Sequence, residues 1–230
     1  KLENLTKKDG DAVIKQVYLN HNGGRYIYKI HEEKINKFCN GNGFVSLNKF
    51  LNSMFNDCPN QYFQYGPRSS TLRFKLVDNI LEVPKHEVST LAKLGLNVNK
   101  ERFPDRHSQV QTFMLENDKS TIAMEVPLWL YPEELANYKT VFKQEGILTG
   151  HIDILRIEND NIWIWDFKPN AQKELYAATQ TLFYAYMLSK RTNIPLNKFR
   201  CGYFDQNYAY VFKPDEKSLM RLNKQRTLVT

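Results

Sequence analysis

Two acidic residues and a lysine sit on what reads as a β-hairpin: Gly150-His-Ile-Asp153, then Ile164-Trp-Asp166-Phe-Lys168. The polar stretch Glu158-Asn-Asp-Asn161 separates the two apolar runs and suits a tight turn. Pairing Ile157 with Ile162 across it places Leu155 opposite Ile164 and Asp153 opposite Asp166. Directly opposed residues on one sheet face have Cβ atoms roughly 4.5–5.5 Å apart, and like charges so placed repel. A divalent cation between them removes the repulsion, and hard carboxylate oxygens suit Mg2+ or Mn2+. Lys168 follows Asp166 by two residues and so shares its face. An ammonium there can orient a water or steady developing phosphate charge. The competing reading is a surface carboxylate pair with Lys168 as an ordinary ion-pair partner. Trp163, Trp165 and Phe167 point the other way, so both faces are largely apolar and the strand reads as central and doubly covered. Charge in such a strand is costly unless it has a function.

The next helical stretch places Gln180 and Tyr184 at i, i+4 on one face. A Gln amide and a Tyr hydroxyl there can hold phosphate; a core Tyr with a boundary Gln gives the same pattern. Taken in order, Gly150-x-x-Asp153, Asp166-Phe-Lys168 and Gln180-Thr-Leu-Phe-Tyr184 resemble the RecB-like branch of the PD-(D/E)xK nucleases. Asp166 stands where that branch more often has Glu. The resemblance covers about residues 101–190. It implies a restriction-endonuclease-like core of order αβββαβ and a Mg2+- or Mn2+-dependent phosphodiester hydrolase. It also implies that Asp153 and Asp166 hold one or two ions with the Phe167 backbone carbonyl, that Lys168 orients the water, and that Gln180 and Tyr184 position the strand. The family's earlier motif matches His107, which is either a metal ligand or a helix-surface histidine. Glu125 resembles a recurring Glu of relatives, or is the polar face of an alternating strand. Relatives with four cysteines carry an iron–sulfur cluster. This sequence lacks them, so no cluster is expected, and it looks nearer to phage-type or mitochondrial single-strand exonucleases. The implied role is an exonuclease on single-stranded DNA or DNA ends in replication, recombination or repair. RNA stays open as a substrate, and a helicase or replication partner is compatible but unidentified. A non-cleaving nucleic-acid-binding module on the same fold is the alternative.

The elements that must hold these residues follow from periodicity and punctuation. Gly24–Ile30 alternates like a strand, His31–Phe38 reads as a helical turn, and Ser46 reads as the N-cap of a helix ending near Pro59. Arg73–Val83 reads as strand or extended chain, and Pro84–Leu96 as a helix stopped at Gly95. Then come a helix over Pro104–Glu116, a strand over Thr121–Leu130, a short helix or turn over Pro132–Tyr138, and strands over Glu145–Ile157 and Asn161–Lys168. A helix over Ala171–Lys190 and a hairpin of Phe199–Asp205 with Tyr208–Lys213 complete the series. This is an α/β arrangement around a mixed sheet flanked by helices. Residues 101–230 form the expected nuclease core. Residues 1–100 form a mostly helical or extended region covering or feeding the site.

The chain of 230 residues carries a net charge of +7, which favours a polyanionic partner. Arg106, Lys143, Lys173 and Arg191 are candidate backbone contacts, and Tyr62, Phe63 and Tyr65 candidate base-stacking rings; a solvated face and core packing explain them equally well. With 42% hydrophobic and 13% aromatic residues the chain is not disordered. No apolar run approaches the roughly 18 residues that span a bilayer. Cys39, Cys58 and Cys201 show no C-x-x-C spacing, so neither a zinc ribbon nor a disulfide framework is expected. No targeting segment is visible after Lys1, and the expected compartment is intracellular: cytoplasm, nucleoid or organelle matrix.

Overall fold

The strongest local instruction in the chain is the turn at Asn159-Asp160. Both residues adopt positive φ, 48° and 55°, in the left-handed region that a two-residue hairpin turn demands. That turn sets Glu158 against Asn161 and Ile157 against Ile162, joining strands β6 (Leu148–Glu158) and β7 (Asn161–Phe167) in the expected register. The structure is a computed structural model describing residues 5–9, 12–41, 43–136, 138–142 and 145–220.

The further strands are β1 (Leu5–Asp9), β2 (Ala12–His21), β3 (Gly24–His31), β4 (Leu81–Glu82), β5 (Thr121–Leu130), β8 (Phe199–Phe204) and β9 (Ala209–Phe212). They form one mixed sheet in the order β1-β2-β3-β5-β6-β7-β8-β9-β4, with β7 and β8 parallel and the other neighbours antiparallel. The helices are α1 (Glu32–Cys39), α2 (Val45–Ser53), α3 (Glu87–Val98), α4 (Arg106–Asn117), α5 (Tyr138–Phe142), α6 (Ala177–Thr192) and α7 (Glu216–Met220). A parallel pair needs a crossover, and α6 supplies it between β7 and β8. Strand β7 lies in mid-sheet with Ile162, Ile164, Trp165 and Phe167 fully buried. On one face Ile154, Trp165 and Phe167 pack with Val88 and Ala92 of α3 and Val110 and Met114 of α4. On the other, Leu155 and Ile164 share a core with Leu182, Phe183 and Leu188 of α6.

Several elements depart from the sequence expectation for identifiable reasons. The region before residue 100, expected to be mostly helical apart from a strand at Gly24–Ile30, also supplies β1 and β2, while the expected strand forms as β3 and pairs directly with β5. The second helix starts at Val45 rather than after a Ser46 cap and ends at Ser53. Gly95 does not stop α3. It lies inside the helix, where an added Cβ would meet Gln109 O and Phe113 Cβ at 3.0 Å, so its lack of a side chain lets α4 approach. The helix expected over Ala171–Lys190 is split. A short 3-10 turn over Ala171–Lys173 is anchored by the Ala171 N–H donating to Asp205 Oδ2 at 2.9 Å, and α6 begins at Ala177. Among the described residues no helix is long and apolar enough to cross a membrane.

Candidate active site

The ladder between β6 and β7 ends at Ile154↔Trp165, and the next residues in the same register are Asp153 and Asp166. Here the strands part, and a side chain replaces the ladder bond: the Phe167 N–H donates to Asp153 Oδ2 at 2.9 Å. In an extended strand a residue's N–H and C=O face the same edge, so the Phe167 carbonyl also faces β6. On the other side, Glu125 falls between Met124, partner of Ile154, and Val126, partner of Ile152, which sets it across from Asp153. Its φ of 53° breaks the regular strand, and its carboxylate accepts from Gln111 Nε2 at 2.7 Å. Glu125, Asp153 and Asp166 therefore form a row across β5, β6 and β7.

The row is short of water and rich in like charge. Asp166 is 1% exposed. Burial, then the neighbouring Asp153, pushes Glu125 up to about 8. Burial, then Asp166, pushes Asp153 up to about 6. Lys168 answers the charge with its ammonium 2.8 Å from Asp166 Oδ2. Burial works against that ammonium, but Asp166 and Asp153 outweigh it and hold its pKa above the ordinary lysine value. Lys168 is therefore a permanent cation, suited to orienting and charge stabilisation and not to accepting a proton.

Helix α6 presents Gln180, whose Nε2 donates to the Tyr184 hydroxyl at 2.8 Å. Burial, then Asp166, raises the Tyr184 pKa, so the hydroxyl stays neutral. Gly150 makes room for this helix. A Cβ there would meet Ser69 Oγ at 2.3 Å and Tyr184 Cε1 at 2.4 Å. His107, on the first turn of α4 after its Asp105 cap, brings Nε2 to 3.8 Å from Asp153 Oδ2 and sets its ring edge against Phe167. His107, Glu125, Asp153, Asp166, Lys168, Gln180 and Tyr184 line one cavity of about 310 Å3.

The basic candidates are dispersed. Lys173 lines a neighbouring cavity of about 390 Å3 that shares Lys168 and Gln180 with the first. Arg106 donates to Gln206 Oε1 at 2.6 Å. Arg191 is not brought to the site: it pairs with Glu134 and lies over the Trp129 and Tyr131 rings. Lys143 lies outside the described residues. Of the aromatic candidates, Phe63 is fully buried and stacked on His21, Tyr62 packs against Trp129 and Tyr131, and Tyr65 is 85% exposed. The sequence reading missed Arg68, Tyr26 and His151, which also line the cavity. Arg68 lies in a loop with no periodicity, and only the Gly66-Pro67 punctuation marks that loop as a turn.

Among the described residues no three His, Cys, Asp or Glu side chains stand as a ready-made ligand group. Mg2+ does not need one. It keeps several waters and takes one or two carboxylates, which is the donor set that Asp153, Asp166 and the Phe167 carbonyl offer. The carboxylate repulsion that raises Glu125 and Asp153 is what a divalent cation relieves.

No curated protein matches the sequence. The crystal structure of SSO0001 aligns with 64% of this chain and 78% of its own, at a TM-score of 0.34 and 14% identity. A family model described as the PD-(D/E)XK nuclease superfamily matches residues 54–226, which contain the whole acidic row, Lys168 and the Gln180–Tyr184 pair. Members of that superfamily are generally metal-dependent nucleases acting on nucleic acid, and this chain, matched over most of its length, belongs to it.

Proposed function

We propose that the chain is a Mg2+- or Mn2+-dependent deoxyribonuclease of the RecB-like branch, acting as an exonuclease on single-stranded DNA or DNA ends. The observation that carries the reading is the buried Asp153–Asp166 step with Lys168 2.8 Å from Asp166. Asp153, Asp166 and the Phe167 carbonyl would hold the ion, with His107 and Glu125 at its margin. When bound, the cation would lower the pKa of a water and neutralise charge on the scissile phosphate.

The chain's own groups supply the rest. The Lys168 ammonium, fixed between Asp166 and the cavity, orients the attacking water and steadies charge gathering on phosphate oxygens. The Gln180 amide keeps a second N–H beyond the one it gives Tyr184, and that donor holds the strand. Residues of the first hundred, through the Arg68–Ser70 segment over Gly150, cover the site and restrict what enters it.

End-labelled linear single-stranded, linear duplex and circular single-stranded DNA, incubated with Mg2+ or Mn2+, test the reading. Degradation of linear single strands with intact circles is expected. Cleaved circles would overturn the exonuclease assignment, and intact DNA in every lane would leave a binding module in its place.

A further inference from the structure

Lys168, 2.8 Å from Asp166, and the ion that Asp153 and Asp166 would hold serve the scissile phosphate, so the neighbouring phosphates of a bound strand need a cation of their own. Arg68 is positioned for that task. Its backbone is bridged in parallel to Thr149 of β6, with the Thr149 N–H donating to Pro67 O at 3.0 Å. Ser69 Oγ donates to Thr149 O at 3.2 Å. The loop is thus bonded to the same strand that carries Asp153. From Thr149 to Asp153 is about 13 Å of extended chain.

The Arg68 guanidinium donates to the Tyr26 hydroxyl at 2.5 Å and pairs with no carboxylate among the described residues. That bond uses one of five N–H donors. Tyr26 is itself fixed, its ring stacked on His151 at 3.9 Å, and His151 Nε2 lies 2.8 Å from His21 Nδ1. His21 stacks on Phe63 and its Nε2 bonds Asn60 Oδ1 at 2.8 Å. A wall of four rings therefore holds a cation with unspent donors in the cavity that the acidic row also lines. A planar guanidinium with its donors free matches phosphate oxygens in two-pronged geometry.

We infer that Arg68, held by Tyr26, binds the phosphate of a nucleic-acid strand next to the scissile one, so that the strand lies along β6 from Arg68 to the Asp153–Asp166 step. The inference rests on the proposed nuclease reading. Arg68 sets substrate register and affinity and takes no part in the bond-breaking step.

The test uses the full chain carrying Asp166→Asn to prevent turnover. Binding of a fluorescent single-stranded oligonucleotide is measured by anisotropy between about 50 and 200 mM salt. Each phosphate contact on a single strand contributes about 0.7 to the slope of log K against log salt. Adding Arg68→Met is expected to reduce the slope by about 0.7 and weaken binding about tenfold at the lowest salt. Arg68→Lys keeps the slope. Tyr26→Phe weakens binding at an unchanged slope, because the charge remains while its anchor is lost. In the cleaving protein, Arg68→Met raises KM and leaves kcat within about threefold. An unchanged slope in Arg68→Met beside salt-dependent binding by the Arg68 parent overturns the phosphate subsite and leaves the nuclease reading standing. Absence of salt-dependent binding in the parent overturns both.

Discussion

Replacing Gly150 by Ala tests whether the strand-to-helix approach at the site is as tight as the geometry says. The torsion at Gly150 is not left-handed, so the substitution carries no backbone strain, and the whole effect comes from space. The new Cβ meets Ser69 Oγ at 2.3 Å and Tyr184 Cε1 at 2.4 Å, against ordinary contacts of 3.4–4 Å. One or both neighbours must move by about an ångström. Neither is free: Ser69 is bonded to Thr149 O, and the Tyr184 ring is buried with its hydroxyl tied to Gln180. Overpacking of this kind costs about 1–3 kcal/mol, or roughly 2–4 °C of melting temperature per kcal/mol at this chain length. A displacement of about 1 Å in a positioning group costs about a hundredfold in rate. Thermal melts and single-turnover cleavage read the two effects separately. Adding Ser69→Ala removes the Oγ clash and is expected to restore part of the stability but not the rate, because the Tyr184 clash remains. A Gly150→Ala protein that melts within about 1 °C of the parent and cleaves at its rate would refute the packing argument.

The acidic row makes the metal-free protein pH-sensitive. Glu125 at about 8 and Asp153 at about 6 lie above their ordinary values of 4.5 and 3.8, so the stability tied to their protonation is full below about pH 4 and lost as pH rises towards 8. Melting curves in chelator should therefore fall across that window, Glu125→Gln should flatten the fall, and Mg2+ should stabilise more at pH 8 than at pH 5.5; an identical pH slope in Glu125→Gln contradicts the repulsion. Arg156 is fully buried with Asp118, Glu87 and Glu158 around it, so Asp118→Ala should cost about 3–5 kcal/mol in urea unfolding, and a loss below about 1 kcal/mol contradicts its role. Arg191→Ala should cost about 1–2 kcal/mol through the lost Glu134 pair and ring contacts, with DNA affinity unchanged within about twofold; a steep loss of affinity would return Arg191 to the binding face.

What was legible in the sequence is what local rules govern. The two-residue turn at Asn159-Asp160 specifies the hairpin register, and a slip of one residue would move every side chain of one strand to the opposite face of the sheet and part Asp153 from Asp166. The opposed Asp153 and Asp166 follow from that register, and the Gln180–Tyr184 pair follows from helical spacing. What was not legible depends on distant partners. Gly95 reads as a helix stop until α4 packs against it. Ala171–Lys173 has helical composition, yet Asp205 claims the Ala171 N–H and the helix proper starts later. Glu125 takes a left-handed φ that its residue type does not announce, which carries it from an alternating strand into the cavity. Arg68 reaches the site only through its bridge to Thr149, a contact with no periodic signature.

The most direct measurement is the cleavage rate of a linear single-stranded DNA by the parent chain and by Asp166→Asn and Lys168→Met proteins shown to be folded. Each is assayed with Mg2+ and with chelator. The account predicts hydrolysis by the parent that needs the divalent ion and falls by at least about a hundredfold in either variant, since each removes a preorganised electrostatic group. Cleavage by both folded variants at the parent's rate, or cleavage undiminished by chelator, would contradict it.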